Sequence, residues 1–261
     1  MLRSALIAFS FSFLATAVLA ASGKQPAPPG ALKDAPPQYT RFSMPELRRG
    51  FMALAFGSDL RIGAPPRGIR RFDHPIIARV IPGGGVDRTQ AMTRVIEEYA
   101  RSVPNLHLHV TTDAAADIEV RLIDEKDFNA ALHEAFGAKV AKAFIKRTDP
   151  QCMTSLRSDA EGAILHAVSF IIVDQGEDVF RDCAYHELLH AFGLSNHDQR
   201  NPWTTLNQNR LVGYLTVYDR ALLTLLYDPR IKPGMTHRQV RVLLPHLIAD
   251  LGLAGAGRRH R

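Results

Sequence analysis

The chain has 261 residues, 46% of them hydrophobic, which is enough for one well-filled domain with a small appendage. Part of its formal charge of +6 is local: Arg258, Arg259, His260 and Arg261 form a basic tail after Gly255 and Gly257, the kind of run that is usually a solvated end. No aromatic residues interleave with the basic ones and no nucleic-acid motif is present, which argues against a nucleic-acid partner, and no repeat of about 20–50 residues suggests a solenoid.

Residues 1–20 carry a basic Arg3, an apolar core from Ala5 to Leu19 and small residues at Val18 and Ala20. They are expected to be a secretory signal peptide, cleaved near Ala20 or Ala21, rather than a membrane anchor. No cysteine stands directly after the cleavage site to take a lipid, and no later segment is long enough to span a bilayer. Residues 21–42 hold Pro26, Pro28, Pro29, Pro36 and Pro37 and are expected to form an extended linker.

Folded structure is expected from residue 43, where Ser43 caps a helix that runs to Phe56 with Pro45 and Glu46 in its first turn. Residues 63–68 form a turn region, 74–81 a strand broken by Pro82, and Asp87 caps a helix to Arg101 with Ala91, Val95, Ile96 and Tyr99 inward. Residues 106–111 and 116–123 alternate as strands. His107 and His109 then share one face, a spacing that suits a metal but is more often surface or packing. Residues 125–146 are expected to be mostly helical, and 150–161 to be a loop holding Cys152. A strongly apolar run, 167–173, is the last strand before a helix capped by Asp174 or Asp178.

That helix carries His186-Glu187-Leu188-Leu189-His190. Histidines four apart project from one helical face, with Cβ atoms about 5–6 Å apart, close enough to share one ion. Glu187 lies beside them, where a carboxylate can take a proton from metal-bound water. Neutral imidazoles leave zinc its full charge, which lowers the pKa of bound water towards about 7 and suits hydrolysis of an amide. Tyr185, Leu188, Leu189 and Phe192 give the helix an apolar side, and Gly193 ends it. The next groups that can return to the ion are Asn196, His197 and Asp198. Imidazole is the best zinc ligand among them, so His197 is expected to be the third, with Asn196 and Asp198 open. Beyond the site, Thr216 caps a helix to Tyr227 with Asp219 at its third position, and another helix follows from 236 to 251.

The stretch from His186 to His197 resembles the long zinc signature of the metzincin metallopeptidases, H-E-x-x-H-x-x-G-x-x-H, with one departure. The family's third histidine would fall at Asn196, and here it stands one place later. The resemblance implies an α+β, metzincin-like domain over residues 43–254: a twisted mixed sheet with helices, a zinc helix and a helical C-terminal part. The start of the third strand, Ala116-Asp117-Ile118, and the helix from Thr216 to Tyr227 are similar to the family's. Between Asp198 and Leu215, where the family has its methionine turn, there is no methionine, and Trp203, Leu206 or Leu211 would supply the apolar floor. Arg71-Phe72, His186 to Asn196 and Leu226-Tyr-Asp-Pro-Arg-Ile-Lys-Pro-Gly-Met235 also resemble a bacterial family of exported proteins and lipoproteins known as a domain of unknown function, over about residues 43–250.

Two cysteines in an exported chain are expected to pair, and a Cys152–Cys183 bridge would pin the metal helix one turn before His186. A thiolate ligand role for Cys183 is the lesser alternative. Together these features describe a secreted or periplasmic zinc peptidase. His186, His190 and His197 would hold zinc, Glu187 would act as general base and then acid, and Tyr214 or Tyr218 would face the oxyanion. The substrate would be a peptide or protein, those of the cell envelope included. The alternative is a non-catalytic envelope binding or structural protein that retains the metal site.

Overall fold

The computed structural model describes residues 42–57, 67–139, 141–142, 145, 151–202 and 204–252; the expected leader, almost all of the linker, the tail and Trp203 lie outside them. Helix α1 (Met44–Phe56) opens on the expected Ser43 cap, and Glu46 completes it to a capping box. The Ser43 hydroxyl accepts from the Glu46 amide, and the Glu46 carboxylate accepts from the Ser43 amide. Leu47, Phe51 and Leu54 bury one face. Gly50 lies on it because the Tyr218 hydroxyl passes there, 1.7 Å from where a Cβ would stand. Phe42, counted with the linker from sequence, is buried edge-on against Tyr218.

Five strands form one mixed sheet in the order β2-β1-β3-β5-β4: β1 (Ile76–Ile81), β2 (Leu108–Thr111), β3 (Ile118–Ile123), β4 (Cys152–Ser158) and β5 (Ile164–Ile172). All neighbours run parallel except β4, which pairs antiparallel with β5 at the edge. With helices α2 (Thr89–Ser102), α3 (Glu125–Phe136), α4 (Glu177–Ala191), α5 (Val217–Leu226) and α6 (His237–Asp250), the described residues make a mixed α/β fold of five strands and six named helices. Ile118, Val120 and Leu122 of β3 and Ala167 and Ile171 of β5 join the main core with α1, α2, α4, α5 and α6. Phe170 and Ile172, pointing the other way by strand alternation, build a smaller core with Phe128 and Leu132 of α3.

Three local expectations are corrected and a fourth is refined. Cys152 lies at the start of β4 rather than in a loop, because Met153 turns into the smaller core while Leu156 packs on the main one. The span expected to be mostly helical, 125–146, is so among its described residues, but it is interrupted: α3 ends at Phe136, Gly137 takes φ 76°, and residues 138–139, 141–142 and 145 are helical again. His107 has φ 43° and precedes β2, so it and His109 are not strand neighbours on one face; both are exposed. Asp174 accepts from the Glu125 amide at 3.0 Å and so serves the start of α3, while α4 begins after Gly176.

Behind the sheet end, Arg71 ties three segments together. Its backbone bridges to Ala163, and its Nη1 donates to the carbonyls of Leu226, Asp228 and Ile231 at 2.8, 3.2 and 3.0 Å. The guanidinium also lies 4.5 Å over the Tyr227 ring. Next to it, a Cβ on Gly162 would stand 2.4 Å from the Ile69 carbonyl, so the crossing requires glycine there.

Candidate metal centre

Helix α4 buries almost every side. Phe180, Cys183, Ala184, Leu188 and Leu189 enter the core, yet Asp182, His186 and Glu187 are also buried, at 1%, 6% and 3% exposure. The apolar side meets β4 and β5, where the disulfide Cys152–Cys183 joins sheet edge to helix and Thr154 Oγ1 donates to the Glu187 carbonyl at 3.0 Å. That bridge takes up the Cys183 sulfur, so it is not a thiolate ligand. The polar side meets the loop between α4 and α5. Asp182 Oδ1 accepts from the Val212 amide at 2.6 Å, and Arg181 Nε donates to the Gly213 carbonyl at 2.9 Å.

Three imidazoles converge where loop and helix meet. The Nε2 atoms of His186 and His190 are 3.0 Å apart, His186 and His197 3.0 Å, and His190 and His197 3.2 Å. His186 is buried, while His190 and His197 are half-buried, so the cluster opens to solvent on their side. The other ring nitrogens fix the state of two of them: His186 Nδ1 lies 2.6 Å from the Thr205 carbonyl and His190 Nδ1 2.5 Å from the Leu194 carbonyl. A carbonyl only accepts, so each Nδ1 carries the hydrogen, and in the neutral ring Nε2 is left with a lone pair. Lone pairs facing one another at 3.0 Å repel unless a cation lies between them. A single hydrogen lies along one edge of this triangle, whereas a small cation above its centre attracts all three corners.

A metal fits the residues. Zinc held tetrahedrally at about 2.0–2.1 Å sets three nitrogens about 3.3–3.4 Å apart, and the observed triangle is that arrangement drawn slightly tight. Backbone carbonyls on the outer imidazole nitrogens are the usual way of orienting such ligands. The solvent-facing side leaves room for a further ligand.

Neighbouring residues Asn196 and His197 are held in opposite directions. Asn196 Nδ2 donates to the Ala53 carbonyl in the last turn of α1 at 3.0 Å, and Ser195 binds the Leu54 and Gly57 carbonyls through its amide and hydroxyl. Asn196 is thus held on α1, and His197 turns towards the helix. Asp198 is buried, its amide on the Leu206 carbonyl and its carboxylate accepting from the Arg200 amide. Gly193 makes the turn back possible at φ 115°, its Cα facing the Arg70 carbonyl where a Cβ would stand at 2.1 Å.

Beneath His186, Thr204 Oγ1 donates to Asp219 Oδ1, and the Thr205 amide donates to Asp219 Oδ2 at 3.1 Å. Asp219 is fully buried. Burial pushes its carboxyl up to about 6, against the downward pull of hydrogen bonds led by Thr204. Leu206, in the same turn, is fully buried. Tyr218 is 2% exposed, its ring against Phe42 and its hydroxyl over Gly50; Tyr214 is half-buried, and burial raises its pKa. His107 and His109 join no cluster of three potential ligands among the described residues.

Asp182, Thr205 and Asp219 were not foreseen as parts of the site. By sequence Asp219 reads only as a first-turn residue of α5, a role it also fills, since its amide donates to Thr216 Oγ1 at 2.9 Å. Nothing in its spacing marks a partner across a loop without periodicity.

The protein family described as "Protein of unknown function (DUF2927)" matches residues 45–246, from the first turn of α1 into α6. No curated protein matches the chain.

Proposed function

The chain belongs to the DUF2927 family, and we propose that it is a zinc-dependent peptidase with a metzincin-like catalytic domain, working outside the cytoplasm. The observation that carries this reading is the triangle of Nε2 atoms from His186, His190 and His197, 3.0–3.2 Å on a side. The buried Glu187 stands next to the first of them in the chain. A sheet leading into the histidine helix, with a loop that returns a third histidine, supports the likeness to metzincins.

His186, His190 and His197 would hold the ion as neutral rings. When bound, zinc supplies a Lewis acid that polarises a carbonyl oxygen and makes water acidic enough to ionise near neutral pH. Glu187 takes the proton from the attacking water and delivers it to the departing amine nitrogen. Being buried, its carboxylate works where the local dielectric is low and its charge is weakly screened. His190 and His197 are only partly buried, so the cluster meets solvent on their side. The Cys152–Cys183 bridge fits an oxidising compartment, and among the described residues no helix is long and apolar enough to cross a membrane.

The test has two parts. Elemental analysis of the chain purified without chelator should find about one zinc per chain, and a broad peptide library should be cleaved in a chelator-sensitive way. Zinc without cleavage would instead favour a binding or structural protein that keeps the metal.

A further inference from the structure

We infer that Asp219 is a positioning residue for the metal centre, acting on His186 through the main chain of Thr205; this rests on the metal reading above. Its carboxylate takes both donors that the turn presents, the Thr204 hydroxyl and the Thr205 amide at 3.1 Å. The same Thr205 residue then offers its carbonyl to His186 Nδ1 at 2.6 Å. Carboxylate, Thr205 main chain and imidazole form one line from the buried start of α5 to the buried face of α4, through the two successive peptide groups that meet at the Thr205 Cα.

The arrangement has a chemical consequence. A carboxylate that accepts from one end of Thr205 holds the turn from below, and its negative charge makes the nearby Thr205 oxygen a stronger acceptor. A stronger acceptor fixes the hydrogen on His186 Nδ1 and raises the electron density left on Nε2. His186 is therefore held in the one tautomer that can ligate, with its ring aimed at the other two histidines. Leu206 and Asp198 depend on the same turn, since the Leu206 amide donates to Thr204 Oγ1 and its carbonyl accepts from Asp198, next to His197. Asp219 thus supports two corners of the triangle while touching neither.

The experiment compares the full chain with Asp219→Asn and Asp219→Ala. Two measurements are made: long-range proton–nitrogen NMR of the histidine rings in the chelated protein, and competition for zinc against a chromophoric chelator with the visible spectrum of the cobalt form. The parent should show His186 with its hydrogen on Nδ1. Asp219→Asn keeps the shape, loses the charge and should show some Nε2–H form, weaken zinc about tenfold and shift the cobalt bands; Asp219→Ala should approach about 100-fold. An effect on general stability alone would lower the melting temperature of the chelated variants and leave tautomer, affinity and cobalt spectrum at parental values in the folded protein, which overturns the inference. If Asp219→Ala does not fold, the near-isosteric Asp219→Asn carries the decision by itself. A parent that binds no zinc, with a His186 tautomer that still shifts in the variants, would overturn the metal reading and leave the Asp219-to-His186 line standing.

Discussion

The Asn196 carboxamide donates to the Ala53 carbonyl across 143 positions of sequence, and that contact separates the position where the metzincin signature has its third histidine from the position that supplies one here. At the end of α1 the Leu54 carbonyl takes the Ser195 amide, and the Gly57 carbonyl, just past the helix, takes the Ser195 hydroxyl. The Asn196 carboxamide adds a second donor to the Ala53 carbonyl, which already accepts from the Gly57 amide. The loop is consequently anchored one residue before His197.

His197→Ala should remove a whole coordinate bond and weaken zinc beyond the about 10–100-fold typical of an outer partner. Asn196→Ala should keep near-parental stoichiometry and cost about 1 kcal/mol of stability for the lost hydrogen bond. Chelator competition on both variants decides it: parental affinity in His197→Ala would mean that another group completes the site.

Glu187→Gln preserves size and an acceptor while losing the ability to take a proton. Zinc content and circular dichroism should match the parent, and peptide cleavage should fall by about 10²–10⁴-fold. Equal cleavage by parent and variant, measured as kcat/KM on one library-derived peptide, would remove Glu187 from the mechanism.

Opening the Cys152–Cys183 bridge frees β4 from α4. The double variant Cys152→Ser, Cys183→Ala should lose about 3–4 kcal/mol by the chain-entropy estimate, read from urea unfolding. In the unreduced, unfolded parent, thiol titration should find no free cysteine, and two free thiols would contradict the bridge.

Burial pushes the Asp219 carboxyl up to about 6, above its unfolded value of about 3.9. The folded chain therefore holds this proton more tightly than the unfolded one. The associated stability is fully present below about pH 3.9 and is lost as pH rises through about 6, an amount on the order of 3 kcal/mol. Urea unfolding of chelated parent and Asp219→Asn from about pH 4 to about pH 7.5 should show the parent losing that much relative to the variant. A difference that stays constant with pH would place the titration elsewhere.

The sequence made the helix with His186, Glu187 and His190 legible because ligand spacing and helical period coincide, and the strands β1, β3 and β5 because their apolar positions alternate or run continuously. It made β4 hard to see: Cys-Met-Thr-Ser-Leu-Arg-Ser divides its few apolar residues between two cores, so neither face reads as hydrophobic. Asp174 reads, with Asp178 as the alternative, as a cap of the nearest helix, whereas it accepts from the first amide of a helix that begins 49 residues earlier. The supports of the site were hidden for a related reason. Thr205 contributes only its main chain to His186, and Asp219 meets it from 14 positions away.

Arg71 illustrates a different kind of silence. Its Nη1 hydrogen bonds to the C-terminal segment end on main-chain oxygens at Leu226, Asp228 and Ile231, which every residue type possesses. As far as these bonds are concerned, side chains at 226, 228 and 231 can change without any answering change at 71, while Arg71 itself has no substitute with the same planar fork of donors. A contact of this type leaves no covarying pair behind. The two ends of the domain can therefore be tied firmly together and still appear statistically independent.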